Sequence, residues 1–241
     1  MIQASISKIE SMGLVDGPGI RTVVFLNNCK LRCKFCHNPE TWQLKDNNYT
    51  VDQLVDKIKR NKPYFQKNGG VTFSGGEPLL HYDFLIEVCK KLKEENIHIA
   101  LDTSGIGYGD YNELLELLDL VILDIKSITK EGFIDITQTD SYNEFENFIK
   151  QLNESNKEVW IRQVIIPGVN DNKDYVKKLS TYIVKKIKNV KNVEFLPFHT
   201  MAFEKYKNLN IKNPYENIES MDKEKCQELL NYYNEIQNET K

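Results

Sequence analysis

Cys29, Cys33 and Cys36 stand within the string CKLRCKFCHN, in a 241-residue chain that has only five cysteines. Clustered thiols in an odd total argue against a disulfide framework and for metal or redox chemistry. The spacing C-x3-C-x2-C leaves several chemistries open. Structural zinc takes four ligands, often as two C-x2-C pairs; no second pair is present, and His37 adjoins Cys36 too closely to serve easily as the fourth. A catalytic zinc would accept three protein ligands. A redox dithiol would use Cys33 and Cys36 and leave Cys29 idle. An iron–sulfur cube normally takes four thiolates, so three would leave one iron free to bind a small molecule. Cys89 and Cys226 fall inside helical patterns and read as inert core thiols.

Those cysteines need elements to position them. Apolar, β-rich runs at 22–28, 71–74, 98–103, 120–125, 159–166 and 193–198 alternate with helical patterns near 51–61, 81–95, 111–118, 142–153, 172–187 and 221–236. The runs are continuous rather than alternating, as in strands covered on both faces. Six βα units predict an α/β fold with a parallel sheet and outer helices, in one domain spanning 1–241. In such folds ligands bind at the carboxyl ends of the strands. There the sequence reads NNC, SGGEP, DTSG, DIKS, IPGVND and PFHT, so the unusual polar and glycine-rich strings gather on one rim with the cysteine loop 29–38.

Taken in order, DGPGIR, CHNPETW, SGGEP, LDTSG, DLVILDIK, VWIRQVIIPGVND and LPFHT resemble the radical S-adenosylmethionine (SAM) enzymes. Phe35 supplies the aromatic of their C-x3-C-x-aromatic-C signature, and the likeness runs over about residues 5–200. It is strongest to the glycyl-radical-enzyme activases, of the single-cluster type that acts on pyruvate formate-lyase, because no cysteine lies between Cys36 and Cys89 to hold further clusters. The resemblance implies a partial (β/α)6 barrel. It implies a 4Fe–4S cluster on Cys29, Cys33 and Cys36, whose open iron takes SAM; reductive cleavage of SAM then gives the 5′-deoxyadenosyl radical. By the same resemblance Phe35, Cys36, His37, Gly75, Gly76, Glu77, Asp124, Ile125, Lys126 and His199 bind SAM. Asp102, Thr103 and Asp124 would hold a sodium or potassium ion. Asp16, in a substrate-contact segment of about residues 1–20, and Arg162 would touch the protein substrate. The implied partners are pyruvate formate-lyase and an electron donor, flavodoxin or ferredoxin. The segments 131–145 and 208–220 depart from the family's usual pattern and are read as places where partner contacts vary. Activation of another glycyl-radical enzyme, or a zinc-stabilised binding module, are the alternatives.

Composition narrows the class. The chain is 40% hydrophobic and 28% charged, with 32 basic and 35 acidic residues and a net charge of −3, so no general polyanion-binding field is expected. KKIKNVK at 185–191 reads as the solvated end of a helix rather than a nucleic-acid patch. No run is long and apolar enough to span a membrane, and the first residues lack signal-peptide features. A cytoplasmic monomer is expected.

Overall fold

The computed structural model describes residues 2–46 and 48–239. Nine strands and eight α-helices follow one another in it. The strands are β1 (Gln3–Ala4), β2 (Ile6–Gly13), β3 (Arg21–Leu26), β4 (Tyr49–Thr50), β5 (Gly70–Gly75), β6 (His98–Thr103), β7 (Leu120–Asp124), β8 (Glu158–Ile165) and β9 (Val190–Pro197). The helices are α1 (Val51–Asn61), α2 (Tyr82–Glu94), α3 (Asn112–Leu117), α4 (Lys130–Thr137), α5 (Tyr142–Ser155), α6 (Lys173–Lys186), α7 (Phe203–Asn208) and α8 (Lys223–Glu239).

The six expected strands pair in chain order, β3-β5-β6-β7-β8-β9, all parallel. That order has two free ends, so the sheet is open, as in a partial barrel. One correction concerns its edge. β2 adds a seventh strand, antiparallel to β3, and much of the N-terminal segment is thus sheet. Its side chains are mostly exposed or half-buried, which fits an edge strand and conceals it from a search for apolar runs. β1 and β4 form a separate antiparallel pair.

Each helix buries one stripe. In α1 this is Val51, Leu54, Val55 and Ile58, at steps of three and four residues. Thr50 opens α1 with a reciprocal cap: its hydroxyl accepts from Gln53 N at 3.2 Å, and Gln53 Oε1 accepts from Thr50 N at 2.9 Å. Cys89 and Cys226 are buried in the apolar core, on α2 and α8, as inert thiols would be. No helix among the described residues is long and apolar enough to cross a membrane.

Two connections bear on the site. The DGPG turn between β2 and β3 is pinned by Arg21, whose side chain is fully buried. Arg21 donates to Thr72 Oγ1 at 2.6 Å, Val71 O at 2.6 Å and Pro18 O at 2.9 Å, while Thr72 Oγ1 donates to Asp16 O at 2.6 Å. The second is α4, in the atypical segment 131–145. Its last carbonyls, which no helical N–H can reach, accept from the cysteine loop: Thr137 O from Arg32 N and Ile136 O from Lys34 N, each at 2.9 Å. This segment therefore braces the loop.

Candidate active site

The carboxyl ends of the strands enclose a cavity of about 510 Å³. The cysteine loop forms part of its wall with Cys29, Cys33, Phe35, Cys36 and His37; the strand ends add Gly75, Gly76, Asp102, Thr103, Asp124, Lys126, Arg162 and His199. Most of the expected site residues, drawn from the cysteine loop and from strand ends as far apart as Gly75 and His199, do meet in one space.

The three thiols are buried in a way that favours metal over free thiolate. Burial pushes Cys29 up to about 12 and moves Cys33 and Cys36 in the same direction, while the Lys126 ammonium pulls all three back. Without a metal they stay protonated; a bound cluster supplies the positive charge that keeps thiolates. The backbone at Leu31 and at Asn38 also opposes the upward push on Cys29 and Cys36. Among the described residues, no three His, Cys, Asp or Glu side chains converge on one ion position. A mononuclear zinc would need sulfurs about 3.8 Å apart, from its tetrahedral 2.3 Å bonds. A cube puts each thiolate on its own iron and makes no such demand.

Lys126 Nζ donates to Asp124 Oδ2 at 2.6 Å and lies 5.3 Å from the Phe35 ring centroid. Burial works against its charge, but Asp124 and the cysteines outweigh that and hold the ammonium. Asp124 Oδ1 is buried with no hydrogen-bond partner. A carboxylate oxygen left bare in a polar cavity costs about 1–3 kcal/mol unless a ligand donates to it. The His37 and His199 rings, also in the cavity lining, meet edge to face with centroids 4.5 Å apart. Burial, with His199 and Lys205 nearby, lowers the pKa of His37 and keeps it neutral.

A profile of the Radical SAM superfamily matches residues 23–179. The chain is 48% identical over 238 residues to the pyruvate formate-lyase-activating enzyme of Clostridium pasteurianum, covering 98% of this chain and 99% of that one. It is 39% identical over 244 residues to that of Staphylococcus epidermidis, covering 97% and 96%. The chain belongs to the radical SAM superfamily, in the family of these activating enzymes. Solved structures agree on the radical SAM fold. A domain of pyruvate-formate lyase-activating enzyme from Bacteroides vulgatus superposes with a TM-score of 0.53 at 24% identity, over 69% of this chain and 94% of that one. A radical SAM methyltransferase from Sphaerobacter thermophilus gives 0.60 at 16%, over 89% and 63%.

Radical SAM membership implies a 4Fe–4S cluster and SAM, and the thiols, the bare Asp124 oxygen and the close glycine cradle fit them. Two expected SAM residues nevertheless have other places. Glu77 is fully buried and does not line the cavity. Its Oε1 accepts from Leu79 N at 3.1 Å and Thr103 Oγ1 at 2.5 Å; its Oε2 accepts from Ser104 N at 2.9 Å and Ser104 Oγ at 2.6 Å. Four donors make it a clamp between two strand ends. Burial raises its pKa, and those donors pull it back. The Ile125 side chain is buried in the core, with its N–H donated to Arg162 O at 2.9 Å. As for the cation set, the Thr103 hydroxyl is already engaged by Glu77 and Gly105, and Asp102 accepts from Ser74 Oγ at 2.8 Å.

Arg162 and Asp16, 146 positions apart in the chain, come together. The Arg162 guanidinium lies 3.6 Å from Asp16, 3.4 Å from Asp102 and 2.9 Å from Glu194, and it donates to Val15 O. Burial raises the pKa of Asp16, with Arg162 opposing it. The two aspartates at neighbouring strand ends are thus compensated by a guanidinium. Sequence reasoning missed Glu194 and Trp42; no motif marks the first, and the second ends CHNPETW without a stated role.

Gly75 and Gly76 are required by space. Gly75 has φ +121°, and a Cβ on Gly76 would lie 2.2 Å from Asn28 O, just before Cys29. Gly76→Ala is expected to push the cysteine loop, costing about 1–3 kcal/mol. Thermal unfolding should fall accordingly, and SAM affinity, read by equilibrium dialysis with the reconstituted protein, should weaken.

Proposed function

We propose that this chain generates a glycyl radical on pyruvate formate-lyase. The observation that carries the reading is the three-cysteine loop in the wall of a cavity whose mouth is the β2–β3 turn, in a chain 48% identical to an activating enzyme. When bound, the cluster supplies one electron to the sulfonium of SAM, giving methionine and a 5′-deoxyadenosyl radical that takes a hydrogen atom from a glycine Cα.

The chain's own residues bind, orient and shield. Cys29, Cys33 and Cys36 hold the cluster. Asp124 and Lys126 offer an acceptor and a cation to SAM, Gly75 and Gly76 admit it close to the backbone, and His37 and His199 flank its nucleoside with aromatic edges. A sodium or potassium ion at Asp102, Thr103 and Asp124 would complete its shell with backbone carbonyls. At the mouth, Leu14 is 71% and Val15 75% exposed, and Val15 and Asp16 also line the cavity. Arg162 fixes that turn from beneath, so an incoming peptide meets a rigid lip. Flavodoxin or ferredoxin is the proposed donor. One domain acting as a cytoplasmic monomer completes the reading.

The test is anaerobic incubation of the reconstituted protein with SAM, a reductant and pyruvate formate-lyase, followed by electron paramagnetic resonance. A glycyl doublet is expected. SAM cleavage without a doublet would redirect the reading to another glycyl-radical enzyme. Zinc at one equivalent with no iron taken up would restore the binding module.

A further inference from the structure

The residues after Cys36 are held by a segment from far along the chain. Lys205, on α7, donates to His37 O at 3.0 Å, Asn38 Oδ1 at 2.9 Å and Glu40 Oε1 at 2.6 Å. An ammonium has three protons, and here all three serve one short stretch of loop. The neighbouring Tyr206 donates its hydroxyl to Cys36 O at 3.1 Å. At the other end of the same segment stands His199, immediately before a single 3-10 turn, Thr200–Ala202, that runs into α7. The His199 ring meets that of His37 at 4.5 Å, with the ring planes 81° apart, and both line the cavity. Residues 199–206 therefore grip residues 36–40 twice. One contact is ring to ring in the cavity lining; the other is an ammonium on the His37 carbonyl, from a lysine outside that lining.

We propose that Lys205 is a positioning residue for the nucleoside of SAM: by holding the His37 backbone to α7 it keeps the His37 ring on His199. A histidine ring turns on only two bonds from its Cα, so fixing the carbonyl beside that Cα limits where the ring can go. The cysteines are held by other means. Cys29 N donates to Trp42 O at 3.3 Å, and the carbonyls of α4 take the N–H groups of Arg32 and Lys34. Without Lys205 the paired rings become one arrangement among several, and apparent affinity for a ligand that needs them falls with the fraction so arranged. This inference deepens the nucleoside role proposed above for His37 and His199, and it rests on that reading.

The experiment compares anaerobically reconstituted wild type with Lys205→Met, which keeps the length of the side chain and loses all three donors. Iron content is measured first and is expected to match. Equilibrium dialysis should then give a Kd for SAM raised about tenfold, as when the rings stay paired in one molecule in ten. The Kd of 5′-deoxyadenosine, from its displacement of labelled SAM, should rise likewise, and that of methionine should not. An unchanged Kd for SAM, or an equal loss for methionine, overturns the proposal. So does loss of iron, which would make Lys205 a support for the cysteine loop as a whole. Glu40→Gln removes the ion pair and leaves His37 O its donor, so it should change the Kd less than about threefold; a rise as large as that of Lys205→Met also overturns the proposal. Should Lys205→Met not stay folded, Lys205→Gln takes its place under the same criteria, since two amide N–H groups cannot serve three acceptors. Wild type that takes up no iron or binds no SAM sinks the cofactor reading and this inference with it. Failure of the inference alone looks different: wild type binds SAM and the variant matches it.

Discussion

Cys33→Ala is expected to take up cluster iron poorly, to lose the brown chromophore of the reconstituted protein, and to form 5′-deoxyadenosine only at background level with a strong reductant. Cys33 is buried, and its carbonyl accepts from Cys36 N at 3.0 Å, closing the turn between the two cysteines. The substitution removes one sulfur and leaves that backbone bond intact, so the fold should survive and the loss should be chemical. Two thiolates cannot hold a cube that already leaves one iron to SAM. Cys89→Ala is the matched control. Cys89 is also buried, on α2, where burial and then Asp119 drive its thiol upward, and it lies outside the cavity. That variant should lose some stability and keep wild-type iron and SAM cleavage. If Cys33→Ala retains both iron and cleavage, the assignment of the loop is wrong.

Arg162→Leu should have the largest effect on stability. The guanidinium is 8% exposed and serves three carboxylates, Asp16, Asp102 and Glu194, and the Val15 carbonyl. Burial works against its charge, but those carboxylates outweigh that and raise its pKa, so it is cationic at every pH of interest. Removing it strands negative charge in a partly dry site, at about 3–5 kcal/mol. For a chain of this size that corresponds to a fall in Tm of about 6–20 °C. The pH dependence carries the mechanism. Without Arg162 the folded-state pKa values of the stranded carboxylates rise above their unfolded values. The penalty is then full at pH above those raised values and disappears as pH falls through them and the groups become neutral. The Tm gap between wild type and variant should therefore narrow on acidification. A constant gap from neutral pH to the acid edge of the folded range would assign the loss to packing. The β2–β3 turn, freed of Arg162, should also bind the protein substrate more weakly, seen as a raised KM with SAM cleavage retained.

The parallel strands were legible because each is a continuous apolar run, and the rim was legible because such strands all end on the same side. Polar strings following those runs must then face one another. The same logic misses β2, whose exposed side chains give an edge strand no apolar signature. It also leaves the orientation of Glu77 open. After a strand end and two glycines, a carboxylate can turn outward to a ligand or inward to bare donors, and the spacing is identical in both cases. Leu79, Thr103 and Ser104 decided for the inside. Segment 131–145, read as a place where partner contacts vary, offers the carbonyls of α4 to the loop.

The sequence by itself determined that three thiols share one loop, since C-x3-C-x2-C is a local fact. It also determined the alternation that brings the loop and the strand ends together, because periodicity of apolar residues is written along the chain. The tertiary structure alone decided what compensates the buried charges and what braces the loop. Arg162 reaches across 146 positions to Asp16, and Tyr206 reaches back 170 to Cys36. Pairings of that kind depend on how β8 and α7 are set in space, and no local pattern encodes the direction in which a side chain will find its partner.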